Sequence, residues 1–172
     1  MASGATGVFM IGFLLLATAA STGNMVPAAV GGLEGCWRVS GEVRGKDATS
    51  VARGEWHLGR RYFTLHLRSV PPAQPYEAAI NYGAGEKPGE VGSFWMDTFG
   101  GLYQPSLGLG AVTADGFALD YRFPDAVYAN RFSRSGRGWR WTIVEQAPGK
   151  PEKLFAEYRF TPSACRQMKF EF

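Results

Sequence analysis

Cysteine and histidine are scarce in this chain, two of each among 172 residues, and that scarcity removes whole classes of chemistry. There is no Cys-x-x-Cys pair to begin a zinc or iron–sulfur site, and no His-x-His or His-Glu-x-x-His spacing to hold a catalytic metal. A three-ligand site on His57 and His66 would need carboxylates to complete it, so no metal ligand is assigned. The Gly-x-Ser-x-Gly elbow of serine hydrolases is also missing. The run Leu107-Gly108-Leu109-Gly110-Ala111 lacks the Gly-Lys-Ser/Thr ending of a phosphate loop. Its glycines read instead as a bend where a sheet tightens.

Charge is absent from the first 33 residues, and Glu34 is the first ionised side chain. Within that stretch Val8 to Ala20 is an apolar run ending in the small residues Ala17-Thr18-Ala19, the pattern of a secretory signal. A transmembrane helix needs about 20 apolar residues, and Ser21, Thr22, Gly23 and Asn24 stop this run short. The expectation is a signal peptide over residues 1–20, a flexible lead-in over 21–32 and one domain over 33–172, secreted or periplasmic. A retained N-terminal anchor is the alternative, because no Lys or Arg precedes the run. The net charge of +3 is spread among acidic neighbours rather than gathered into a patch, which excludes a nucleic-acid partner.

Cys36, in LEGCWRV, has three readings. As a lipidation site it lies too far beyond the apolar run, and Glu34 fits poorly inside such a box. As a reactive thiol it leaves Cys165 unexplained. An even count in an exported chain reads most economically as a Cys36–Cys165 disulfide. Closing a loop of about 130 residues, it is worth roughly 5 kcal/mol in the chain-entropy model. It also requires the two ends of the domain to lie side by side.

Helical periodicity is nearly absent after the apolar run, and apolar residues alternate instead. Trp37, Val39, Gly41 and Val43 share one face. So do Phe63, Leu65 and Leu67; Tyr76, Ala78, Ile80 and Tyr82; Phe117, Leu119, Tyr121 and Phe123; Trp139, Trp141 and Ile143; and Leu154, Ala156, Tyr158 and Phe160. Period two means strand with one wet face. Glycine and proline clusters separate the segments, from Arg44-Gly45-Lys46-Asp47 to Pro148-Gly149-Lys150-Pro151. About ten short antiparallel strands suit either a sandwich or an up-and-down barrel. The cysteines favour the all-β barrel, in which the last strand pairs with the first. Trp37 would then plug one end from within.

Gly35-Cys36-Trp37, opening the first strand, resembles the start of calycin-type barrels, the group of lipocalins, fatty-acid-binding proteins and nitrobindin-like proteins. Phe94 to Gly101, Gly108 to Gly116, Arg137 to Trp141 and Ala156 to Arg159 are similar to a bacterial lipocalin-like family of unknown function. The resemblance implies a ten-stranded barrel, often exported, with a central cavity and no assigned chemistry. By analogy with nitrobindin-like barrels, His66 is the candidate haem ligand, although no histidine occurs in the last strands where those proteins tend to place it.

Aromatic residues make up 14% of the chain, enough that the interior must hold many rings. Tyr and Trp join a large apolar body to one hydrogen-bonding tip, a useful lining for an amphipathic small molecule. Alternation assigns Trp56, Tyr82, Trp95, Tyr121, Trp141 and Tyr158 to the interior as ligand-binding residues, with Arg131 as the anchor for an anionic head group. Plain core packing of the same rings is the competing reading. An enzyme of isomerase or hydrolase type would need a polar pair in the cavity, Asp97 or Glu145 with His66 or a tyrosine. Against it, Asp97 reads as the cap of the turn that follows, and Asp120 and Glu145 either lie on solvent faces or pair with Arg122 and Arg131. The expectation is a binder of a small hydrophobic or amphipathic molecule, with no catalytic residue assigned.

Overall fold

Alternating side chains leave a strand no choice but to bury one face, and ten such strands bury theirs by closing on one another. The structure, a computed structural model, describes residues 25–100 and 106–167. The expected signal peptide over 1–20 lies outside the described residues. The strands are β1 (Gly35–Val43), β2 (Lys46–His57), β3 (Tyr62–Ser69), β4 (Glu77–Ala84), β5 (Glu90–Asp97), β6 (Ser106–Val112), β7 (Gly116–Arg122), β8 (Val127–Ser135), β9 (Gly138–Gln146) and β10 (Lys153–Ser163). Each pairs antiparallel with its neighbours in sequence, and β1 pairs with β10 to close the barrel. This is the all-β, ten-stranded, up-and-down barrel expected.

Closure puts Cys36 opposite Ser163. Cys165, in a 3₁₀ turn just beyond β10, bonds to Cys36 with the Cα atoms 5.1 Å apart. Trp37, its neighbour, faces inward and is buried. The ladder brings the ends of the domain together and the disulfide fixes them there.

A second device closes the same end, and here the expected lead-in over 21–32 is corrected for its described part. Residues Ala28–Gly31 form a short helix, α1, whose Val30 is fully buried with Leu33 just beyond. Two indoles hold this plug from below. Trp37 Nε1 donates to the Leu33 carbonyl at 2.8 Å and Trp139 Nε1 to the Gly32 carbonyl at 3.0 Å. Gly32 has to be glycine because a Cβ there would sit 2.7 Å from the Trp139 ring. Burying one Val or Leu side chain contributes about 1.5–3 kcal/mol, so this segment belongs energetically to the core.

The interior is aromatic, with rings in direct contact along it. Phe117 stacks on Phe132 with centroids 4.6 Å apart, and Phe132 on Trp141 at 4.8 Å. Phe63, Tyr82, Trp139 and Phe160 pack around that column. On β6 the glycines that resembled a phosphate loop face inward, opposite Tyr121 and Leu119 of β7. A Cβ on Gly108 would lie 2.7 Å from the Tyr121 ring, so the glycine is what admits the tyrosine. The outer wall carries Arg38, Arg53, Glu55, Asp120, Arg140, Glu157 and Arg159 on alternate positions. The outer wall also exposes Phe94 and Met96 of β5 and Leu107 and Leu109 of β6, and no described helix is long and apolar enough to cross a membrane.

Candidate functional site

The end opposite α1 is built differently. Tyr76, just ahead of β4, donates its hydroxyl to Asp97 Oδ2 at 3.2 Å. Asp97, the last residue of β5, also accepts the Phe99 N–H on Oδ1 at 2.9 Å, so it does cap the turn that follows. Burial, reinforced by the Asp97 charge, pushes the Tyr76 phenol far above its ordinary range. The indole N–H of Trp95 faces the same hydroxyl without meeting hydrogen-bond geometry, and it is a buried donor with no partner. Tyr158 completes this inner rim, its phenol raised to about 12 by burial. Above it a cleft of about 420 Å³ is lined by Arg68, Ser69, Val70, Pro71, Ala73, Pro75, Tyr76, Glu77 and Thr98. The Ser69 hydroxyl holds the loop over the cleft, donating to the Gln74 carbonyl and accepting the Tyr76 N–H.

Four of the seven sequence-assigned ligand residues gather beneath this rim. Trp95 packs edge-on against Tyr121 and tilted against Trp141, both at 5.6 Å, and Trp141 lies 5.0 Å from Tyr158. Two of the four polar tips are already satisfied: Tyr121 pairs with Ser93 at 2.7 Å, and Trp141 donates to Asn130 at 2.9 Å. Tyr82 lies deeper, with a buried hydroxyl that has no partner. Trp56 is at the far end, donating to Glu34 at 3.1 Å under the Arg60 guanidinium. Six rings face the barrel, but they do not form one site.

Arg131 is on the wrong face for its expected role. Asn130 and Phe132 point inward on β8, so Arg131 between them points out, opposite Ala118 and Thr142, and is exposed. It cannot anchor a head group from within. The expected carboxylates are also sorted by the ladder. Asp120 pairs with Arg122 on the outer wall at 3.4 Å. Glu145 sits half-buried at the rim, opposite Tyr128. Sequence reasoning missed Tyr128 and Phe155, whose rings meet edge-on at 5.2 Å there.

Both histidines stand on the outer wall. His66 lies opposite Arg53 on β2 and Ala79 on β4, so it offers no axial ligand to a haem inside the barrel, and the interior is occupied by rings. His66 therefore does not fit the role of axial ligand to a haem inside the barrel. His66 keeps other company instead: its Nε2 is 3.5 Å from Glu55 Oε1, and His57 Nε2 is 3.9 Å from the same oxygen. Burial lowers the His66 pKa, Glu55 opposes that shift, and His57 and Arg53 add to it. The ligating atoms of Glu55, His57 and His66 all lie within 4.8 Å of one another. Alternation hinted at two of the three, since Glu55-Trp56-His57 puts two ligands on one face. The β2–β3 register that delivers His66 was not legible.

No protein-family model matches the chain, and no curated protein matches it. Among solved structures it is similar to the crystal structure of Rv2717c from M. tuberculosis, at 17% identity and a TM-score of 0.57. That match covers 81% of this chain and 99% of the other. At such identity the likeness speaks for the barrel fold alone.

Proposed function

We propose that this chain is an exported calycin-type barrel that binds a small hydrophobic or amphipathic molecule at the rim opposite α1, for transport or sequestration, without chemistry of its own. The observation that carries the reading is the cleft of about 420 Å³ with Tyr76 in its wall and the Tyr76–Asp97 pair and the unpartnered Trp95 N–H behind it. Ligand sites combine a largely apolar lining with a few convergent polar groups, in volumes of about 300–1,000 Å³. Val70, Pro71, Ala73 and Pro75 supply apolar surface. The stacked column of Phe117, Phe132 and Trp141 beneath argues for a compact ligand over a long acyl chain. The Cys36–Cys165 disulfide supports an oxidising compartment, as does the apolar run of Val8 to Ala20.

An enzyme at this rim has the Tyr76–Asp97 contact in its favour. General acid–base work needs a group titrating near the operating pH, and Tyr76 is driven away from it while the imidazoles lie on the outer wall. Binding is therefore the better reading. Anilinonaphthalene sulfonate, an amphipathic fluorophore, tests it. It should bind the full chain in one equivalent and raise the melting temperature, and Ala73→Arg should abolish both effects. Native mass spectrometry of protein from its own cells should show a retained small molecule. Binding that ignores Ala73→Arg, together with a bare mass, would overturn the proposal.

A further inference from the structure

The outer-wall cluster on β2 and β3 has no part in the rim site, and the β2–β3 register assembles it. The turn Leu58-Gly59-Arg60 holds three successive residues in the left-handed region, with φ of 49°, 63° and 67°. It returns β3 with Thr64 opposite Glu55 and His66 opposite Arg53. Period two puts Glu55 and His57 on the outer face of β2, and His66 is the diagonal neighbour of Glu55 on β3. One carboxylate oxygen, Glu55 Oε1, thus faces two imidazole Nε2 atoms.

We propose that Glu55, His57 and His66 form a three-ligand site for a divalent transition metal of the zinc class on the outer wall of the barrel. Two imidazoles and one carboxylate select zinc, copper or nickel over calcium and magnesium, which take oxygen ligands. Ligands about 2.0–2.1 Å from a tetrahedral zinc stand about 3.3 Å apart. The His66–Glu55 separation of 3.5 Å is already close to that, and His57, the more exposed imidazole, stands 3.9 Å from the same oxygen and has to move closer to join. Arg53 Nη2 bonds the other oxygen, Glu55 Oε2, at 2.8 Å. That contact orients Oε1 toward the imidazoles, as outer partners of metal ligands do, and its positive charge holds the affinity down. Three protein ligands leave a fourth position open to water.

The test uses the full chain without an affinity tag. Zinc titrated calorimetrically should bind in one equivalent, and cobalt in its place should give the visible bands of a low-symmetry tetrahedral ion. His57→Gln and His66→Gln should each weaken zinc at least tenfold and remove the cobalt bands, while the ring-proton resonances of both histidines shift together on zinc addition. Circular dichroism checks that His66→Gln folds, and the exposed His57 supplies a variant whose fold is not in question. Wild-type protein that binds no zinc, or binds it with an affinity that His57→Gln leaves unchanged, would overturn the site.

Discussion

Trp139 donates its indole N–H to the carbonyl of Gly32, 107 residues earlier, at 3.0 Å. The bond joins β9 to the segment before β1 and makes α1 a lid on the aromatic column instead of a leader. Val30→Ala removes two methyl groups from a fully buried side chain, and should cost about 2 kcal/mol in urea unfolding. Trp139→Phe, which also orphans the Gly32 carbonyl, should cost about 2–3 kcal/mol. A Val30→Ala variant as stable as the parent would mean that α1 lies outside the cooperative core.

The disulfide is separable from the ladder it staples. Cys36 and Ser163 are paired through β1 and β10 whether or not the sulfurs are joined, so the Cys36→Ala, Cys165→Ala chain should keep its β-sheet circular dichroism. Its loss falls on the unfolded state. For a closed loop of this length the effect is up to about 5 kcal/mol, which lowers the melting temperature by up to roughly 15 °C. A double variant melting with the parent would show that the crosslink constrains nothing.

Some of this was legible in the sequence and some was hidden by register. The faces of β1, β3, β4 and β7 follow from plain alternation, the disulfide follows from an even cysteine count in a chain read as exported, and the meeting of strand ten with strand one follows from the disulfide. Arg131 failed because its placement was chosen for its charge. The inward residues of β8, Asn130 and Phe132, are one polar and one apolar, so alternation there is ambiguous. Leu154 does not share the inward face expected with Ala156, Tyr158 and Phe160, because a register shift between Leu154 and Ala156 breaks the period in β10, leaving Leu154 exposed and turning Phe155 toward Tyr128. α1 has only four residues, too few for any helical period. The Tyr76–Asp97 pair and the Glu55–His66 diagonal are contacts between strands, and their spacing along the chain carries no trace of them.

Two buried tyrosines should respond oppositely to loss of the hydroxyl. Tyr121 shares a 2.7 Å hydrogen bond with Ser93, while the Tyr82 hydroxyl has no partner. Removing one side of a buried bond costs about 1–2 kcal/mol, and removing an unsatisfied polar atom costs nothing or stabilises. Tyr121→Phe should therefore destabilise by about 1–2 kcal/mol, with Ser93→Ala adding little on top of it. Tyr82→Phe should be neutral or gain up to about 1 kcal/mol. Equal losses in the two phenylalanine variants would indicate an unrecognised partner for Tyr82.

The same burial makes the barrel sensitive to alkali. The Tyr158 phenol is pushed up to about 12, and those of Tyr76, Tyr82 and Tyr121 are also raised, in each case chiefly by burial. In the unfolded chain a phenol titrates near pH 10. Below that pH both states are protonated and no stability is lost. Above it the unfolded chain releases protons that the folded barrel retains, so stability falls as pH rises, by about 1.4 kcal/mol per pH unit for each buried phenol. Four such groups remove on the order of 5 kcal/mol per unit, which is comparable to the whole stability of many domains. Urea midpoints should therefore hold steady up to about pH 10 and then drop steeply, with Tyr82→Phe showing a shallower drop by one phenol. Tyrosinate absorbance from these four should appear together with loss of the β-sheet signal. Its full appearance in a folded barrel near pH 10 would mean that the rings under the rim are reached by water.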